Sequence, residues 1–153
     1  MYSTALMLHG FLRWVAILLV LFAFVRALQG WMSDRPRNTV DRLSAMLALI
    51  TVDVQLLVGL GLYFLWSPVT KSARENMSVA MKSEELRYFA VEHVTAMIVA
   101  IALVHVGKVL ANKSKSPRSQ HGRAMLCFGL ALILMVWMTP WPMSHVPRPW
   151  FRT

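Results

Sequence analysis

Long apolar runs separated by short polar segments dominate this chain. Four runs stand out, at about 5–29, 42–66, 86–111 and 121–142. Each is at least as long as the ~20 residues that a helix needs to cross a bilayer. Because lipid offers the backbone no hydrogen-bond partner, these runs are predicted to be helices. Short connections favour an all-α, integral membrane four-helix up-down bundle, with residues 1–153 as one domain.

The first run differs from a secretory signal peptide in three respects. No basic residue precedes it, its apolar stretch is too long, and no small-residue cleavage site follows. We therefore predict that it is a retained membrane span.

The composition narrows the class of protein. Hydrophobic residues make up 57% of the chain, charged residues make up 15%, and the mean hydropathy is +0.52. That apolar share exceeds the usual share in a soluble domain, and a lipid bilayer takes up the surplus. The single cysteine, Cys127, excludes an internal disulfide, and no CxxC or Cys/His cluster indicates zinc. Without GxSxG, P-loop or GxGxxG motifs, a soluble hydrolase or nucleotide-binding role has no support.

The net charge of +9 is distributed unevenly between the connecting segments. The basic residues flank apolar runs, which favours a membrane protein and not a nucleic-acid-binding one. The 108–123 segment carries five Lys and Arg and no acid, and the 30–42 segment carries three Arg against two Asp. Excess Lys and Arg marks the cytoplasmic side. Both loops are therefore predicted to be cytoplasmic in a bacterial inner membrane, with both termini and the 67–85 segment outside, in the periplasm.

Two histidines are predicted to lie at similar depths on parallel helices. His9 lies about four residues into the first run, and His93 lies about seven residues into the third. At about 1.5 Å per residue, their depths differ by roughly one turn. Two imidazoles at one depth on different helices can hold a metal or a haem iron axially. We take this pair as the candidate cofactor site.

The neighbours of His9 are compatible with a haem. Arg13 follows His9 by four residues, so both share a helix face. A guanidinium at a porphyrin edge could pair with a propionate. Gly59, in the GLGLYF stretch of the second run, lets a flat ligand or another helix come close. Other readings stay open: His9 as an interfacial polar group, Arg13 reaching the surface, and Gly59 serving helix packing only.

Glu92 precedes His93 and cannot face the same way. It is predicted to pair with Arg13 or Arg87, or to orient a histidine. An intramembrane carboxylate is a functional hypothesis by default, because hydrocarbon makes charge costly.

The inner half of the bundle has its own candidates. Asp53 and Gln55 lie in the middle of the second run, where a carboxylate suggests a proton path, a quinone contact or a buried hydrogen bond. His105 lies twelve residues after His93, about 18 Å further in. His121 opens the fourth run near the same surface. His105 and His121 could hold a second haem, or His121 could belong to the basic inner rim.

Four segments carry a resemblance that covers nearly the whole chain. They are LHGFLRW (8–14), QLLVGLGLYF (55–64), RYFAVEHVTAM (87–97) and HGRAMLCFGLALILMVWMTPWP (121–142). They resemble a family of small bacterial four-span membrane proteins, frequent in Bacteroidetes, that are called b-type cytochromes. The resemblance implies haem b and work near the quinone pool, in a respiratory or photosynthetic chain. The positions that match its motifs are His9, Arg13, Glu92, His93 and His121.

Asp53 departs from the family pattern, which has a histidine two residues before QLL. This departure argues against a second haem and raises the possibility of a member that has lost a cofactor.

Three functions remain at this stage. The first is a haem b electron carrier, an electron-transfer protein rather than a stand-alone catalyst. The second is a cofactor-free accessory subunit that packs against other membrane electron-transfer subunits. The third is a small transporter built around Asp53, Gln55 and Glu92, although no inverted repeat is visible.

Overall fold

The computed structural model describes residues 1–150 and is all-helical over that range. Four helical segments are long and apolar enough to cross a membrane: Tyr2–Ser33, Thr39–Trp66, Glu84–Lys113 and Pro117–Trp137. The predicted four-helix membrane bundle is confirmed. We name the main helices α1 (Tyr2–Ser33), α2 (Thr39–Gly61), α6 (His93–Lys113) and α7 (Pro117–Trp137).

The helices end near the predicted positions, with differences at both ends. The last one begins at Pro117 rather than at 121 and stops at Trp137 rather than at 142. Ser116 caps its start by accepting a hydrogen bond from the Ser119 N–H, and Pro117 suits the first turn because it has no N–H to satisfy. Pro140 lies shortly after the end, where a proline cannot continue a helix.

Residues 67–85, which the sequence indicated only as a loop, contain three short helices. They are α3 (Pro68–Glu75), α4 (Met77–Ala80) and α5 (Glu84–Arg87). Two π-helical turns, Leu62–Trp66 and Tyr88–Glu92, join this helical cap to α2 and α6. Their widened turns were not predicted from the sequence, since apolar periodicity does not distinguish them from α-helix.

Asp41 organises the connection between α1 and α2. Its backbone N–H and the Asn38 side chain form one half of a capping box, and its carboxylate accepts from the Asn38 N–H to form the other half. The same carboxylate accepts from Arg35 at 2.5 and 2.9 Å and from Arg26 Nε at 3.0 Å. This hydrogen bonding raises the pKa of Arg35. The turn is therefore held by a nearly buried carboxylate between two arginines.

Small side chains fill the centre of the bundle. The buried core is rich in alanine: Ala16, Ala23, Ala27, Ala45, Ala48, Ala100, Ala111, Ala124 and Ala131. Alanines let helix backbones approach closely where no hydrophobic effect drives helices together. Large apolar residues such as Phe11, Leu57 and Ile133 lie on the outside, each more than half exposed. Small residues inside and large apolar residues outside are the arrangement expected of a protein whose surface contacts lipid.

The four long helices do not pack equally. α1 packs closely on α2 and α7, and α6 packs closely on α7. α2 and α6 contact each other much less, which leaves an open seam between them.

Candidate functional site

An apolar cavity of about 190 Å³ lies in the half of the bundle that contains both His9 and His93. All four long helices contribute to its walls, and the segment after α7 closes one end through Pro149 and Trp150. Ile98 lines the cavity and is also 49% exposed. Together with the weak α2–α6 packing, this indicates that the cavity is reached from the side of the bundle, at the α2–α6 seam.

Gln55 and Gly59 position the ring of His9. The Gln55 side-chain nitrogen donates to the His9 carbonyl at 3.0 Å and lies 3.3 Å from His9 Nε2. A Cβ atom built on Gly59 would lie 3.2 Å from Cε1 of His9, so the ring fills the space that a larger residue would occupy. Gln55 and Gly59 share one face of α2 because they are four residues apart.

Nδ1 of His9 and Oε1 of Gln55 are buried and have no hydrogen-bond partner among residues 1–150. Buried polar groups are nearly always hydrogen-bonded, and exceptions need a physical explanation. Both residues line the cavity, so a ligand there is one such explanation.

His93 is held by the end of α7. Its Nδ1 lies 2.7 Å from the carbonyl oxygen of Met138. A carbonyl only accepts, so the imidazole donates from Nδ1 and keeps a lone pair on Nε2. Metal-binding histidines characteristically donate their other ring N–H in this way, to a carbonyl or a carboxylate.

The two imidazoles are brought together across the cavity. Their ring centroids are 6.4 Å apart and their planes are inclined by 71°. A metal–imidazole nitrogen bond is about 2 Å long, so two rings that share one metal have centroids roughly 6 Å apart. The spacing of His9 and His93 matches this value.

Arg13 and an aromatic cluster close the cavity at its end. Arg13 donates to the Trp150 carbonyl at 2.7 Å and lies over the Trp14 and Trp141 rings at 5.5 and 5.6 Å. The Trp150 ring stacks on Trp14 at 6.0 Å. Phe11, by contrast, faces outward. The contact between the proline-rich tail and Arg13 was not predicted from the sequence.

Glu92 pairs with Arg87, one of its two predicted partners. Arg87 Nε donates to Glu92 Oε1 at 2.7 Å across the π-helical turn Tyr88–Glu92. Five residues separate the two, a spacing that the wider π turn brings onto one face. Glu92 therefore neutralises a cation beside the site.

The candidate residues of the inner half, Asp53, His105 and His121, do not form one site. His105 Nε2 lies 3.4 Å from Asp53 Oδ1 across the α2–α6 seam, and both side chains are more than 40% exposed. His121 is buried on α7 against Gly30 of α1. His145 is exposed and its ring lies 5.4 Å from that of Tyr88. Within residues 1–150, no three His, Cys, Asp or Glu side chains cluster as a metal site.

No protein-family model, curated protein or solved structure matches this chain. The resemblance to small b-type cytochromes therefore stays a prediction, and the function must be argued from the site.

Proposed function

We propose that this protein is an integral membrane electron carrier that binds haem b between His9 and His93. The observation that carries the proposal is the 6.4 Å separation of the two imidazole rings on opposite walls of one apolar cavity. These two histidines would hold the haem iron through their imidazole nitrogens.

The donor atoms fit this role. His93 donates from Nδ1 to Met138, which leaves Nε2 for a metal. His9 has a buried nitrogen with no partner. Arg13, at the rim of the cavity, is the cation that would pair with a propionate. Gly59 makes room for the His9 ring itself, and most of the other residues that line the cavity are apolar.

The volume of the cavity bears on whether it could hold a haem. Its 190 Å³ is below the ~300–1,000 Å³ that is typical of small-molecule sites. A macrocycle is larger than this cavity, so its binding would require the weakly packed α2 and α6 to move apart. If bound, haem b would supply one-electron transfer, and His9 and His93 would hold it while the apolar walls exclude water.

The proposed setting follows from the same assignment. A carrier of this kind would work in a bacterial inner membrane, beside other electron-transfer subunits and near the quinone pool. The proposal also predicts that a quinone contacts Asp53.

The test is a dithionite-reduced minus oxidised spectrum of the protein purified in mild detergent. We expect a sharp α-band typical of low-spin haem b. His9→Ala and His93→Ala should each remove most of it, whereas His145→Ala should retain it because His145 lies on the surface. A band that survives both axial substitutions would sink the ligand assignment.

The open seam favours a second candidate, a small subunit of a larger membrane complex. Asp53 and His105 are half exposed in the middle of their spans, and hydrocarbon does not solvate such groups. A partner helix over the seam would cover them. A colourless protein that co-purifies with stoichiometric partners would support this role over the carrier.

A further inference from the structure

The opposite end of the bundle, where α1 ends and α7 begins, carries cations that no acid neutralises. Within residues 1–150, none of five basic side chains has a carboxylate within ion-pair distance. These are Lys108, Lys113, Lys115, Arg118 and Arg123. The neighbouring Arg26 and Arg35, in contrast, both pair with Asp41. Within residues 1–150, these five cations lie on the last turns of α6, in the loop before α7 and in the first turns of α7.

Two of these cations border a shallow, solvent-open groove on the surface where Trp31 of α1 meets the start of α7. We call it the basic groove; it is lined by Trp31, Ser116, Arg118, Ser119, Gly122, Arg123 and Leu126. Arg118 and Arg123 are exposed, so their guanidinium groups can reach a ligand. The N–H of Ser119 is already capped by Ser116, so the helix terminus itself is not the anchor.

The wall of the basic groove is fixed by Trp31. A Cβ built on Gly122 would lie 3.0 Å from the Trp31 ring, so the indole lies directly against the α7 backbone. The Arg118 guanidinium lies over the same ring at 5.3 Å. This cation–π contact holds one positive charge beside an aromatic side chain of the kind that populates membrane interfaces.

An apolar track leads out of the basic groove along α7. Leu126 belongs to the groove, and Leu130 and Ile133 continue its face at helical spacing; all three are 45–61% exposed. A ligand that matches both parts has an anionic head for the arginines and a hydrocarbon chain for this track. A soluble phosphate would use only the first part.

We infer that the basic groove binds the headgroup of an anionic phospholipid, with an acyl chain along Leu126, Leu130 and Ile133. Basic pockets between transmembrane helices are established sites for acidic lipid headgroups. This inference is independent of the haem site, which lies in the other half of the bundle.

Native mass spectrometry of the delipidated full-length protein tests the inference. The protein is titrated with phosphatidylglycerol, with phosphatidylcholine of the same chains, and with glycerol 3-phosphate. We expect retained phosphatidylglycerol and little binding of the other two. Arg118→Gln/Arg123→Gln should weaken phosphatidylglycerol binding roughly 30-fold, at about a fivefold loss per basic residue.

Two variants separate this site from general charge and from misfolding. Lys71→Gln/Lys82→Gln removes the same charge from exposed positions in the 67–85 segment and should bind phosphatidylglycerol like the parent. Arg118→Lys/Arg123→Lys keeps the charge and should retain most of the binding. An equal loss of phosphatidylglycerol binding in the two glutamine variants would overturn the site. So would an equal affinity of the parent protein for phosphatidylglycerol and phosphatidylcholine. Displacement of the lipid by glycerol 3-phosphate at similar concentration would identify a free-phosphate site and overturn the lipid.

Discussion

At the residue scale, two glycines each make room for a histidine ring, one in each half of the bundle. Gly59 of α2 faces His9, and Gly30 of α1 faces His121. A Cβ on Gly59 would lie 3.2 Å from the His9 ring, which is close but possible, whereas one on Gly30 would lie 2.2 Å from Cε1 of His121. His121 is 1% exposed and so has little room to move. Gly30 is therefore required for α1 and α7 to pack as they do.

Gly30→Ala is expected to destabilise the protein by about 1–3 kcal/mol, the usual cost of overpacking a core. The free energy of unfolding in a denaturing-detergent titration measures the effect. Gly10→Ala is the matched control, because within residues 1–150 no atom of another helix lies within 4 Å of a Cβ at Gly10. Equal stability of the two variants would contradict the close packing of Gly30 and His121.

The residue scale also shows how far the histidine pair could be predicted. That His9 and His93 lie within roughly one helical turn of the same depth was predicted from the helical rise alone. Which way each ring points did not follow, because helix rotation depends on contacts that are distant in sequence. Gln55 on α2 and the Met138 carbonyl beyond α7 orient the two rings.

At the element scale, the two π-helical turns set the outline of the site. Tyr88–Glu92 lies directly before His93, and Leu62–Trp66 follows the part of α2 that holds Gly59. π turns widen a helix and are frequent at functional sites. The hydroxyl of Tyr63, in the turn Leu62–Trp66, donates to the carbonyl of Ala90, in the turn Tyr88–Glu92, at 3.2 Å. This hydrogen bond joins the ends of α2 and α6 at the cap of the bundle. Elsewhere these two helices pack weakly.

The Arg87–Glu92 pair is expected to contribute about 0.5–1 kcal/mol, because exposed ion pairs are worth little. Both side chains are about one-third exposed. A double-mutant cycle of Arg87→Gln and Glu92→Gln, with unfolding free energies as the readout, measures the coupling. Arg87→Gln with Asp34→Asn is the control pair, and its coupling should be close to zero because Asp34 follows the end of α1 at the other end of the bundle. No coupling between Arg87 and Glu92 would mean that the π turn does not bring them together.

At the scale of the whole molecule, four membrane-spanning segments predict that residues 1 and 150 lie on the same side of the membrane. The distribution of positive charge predicts which side that is. The segment that joins α6 to α7 is basic and carries no acid, whereas the 67–85 segment balances Lys71, Arg74 and Lys82 with Glu75, Glu84 and Glu85. The His9–His93 pair is therefore predicted to lie toward the periplasm and the basic groove toward the cytoplasm.

Reporter fusions test this orientation. Alkaline phosphatase, which is active only outside the cytoplasm, should be active when fused after residue 153 and inactive when inserted after residue 114. A green fluorescent reporter should give the opposite pattern. Fluorescence from the C-terminal fusion would reverse the proposed direction and place the histidine pair on the cytoplasmic side.

The sequence by itself determined the class of fold, because hydrocarbon permits only internally hydrogen-bonded segments and four runs are long enough to span it. It also determined the depths of His9 and His93, because helical rise is constant. Only the tertiary structure decided that these rings meet, that Asp53 faces His105, and that the tail covers Arg13. Those contacts depend on how each helix rotates about its axis and on how weakly α2 and α6 pack. The physical reason is that small residues and lipid-facing apolar residues occur on several faces of each span, so their pattern leaves rotation undetermined until the helices are packed together.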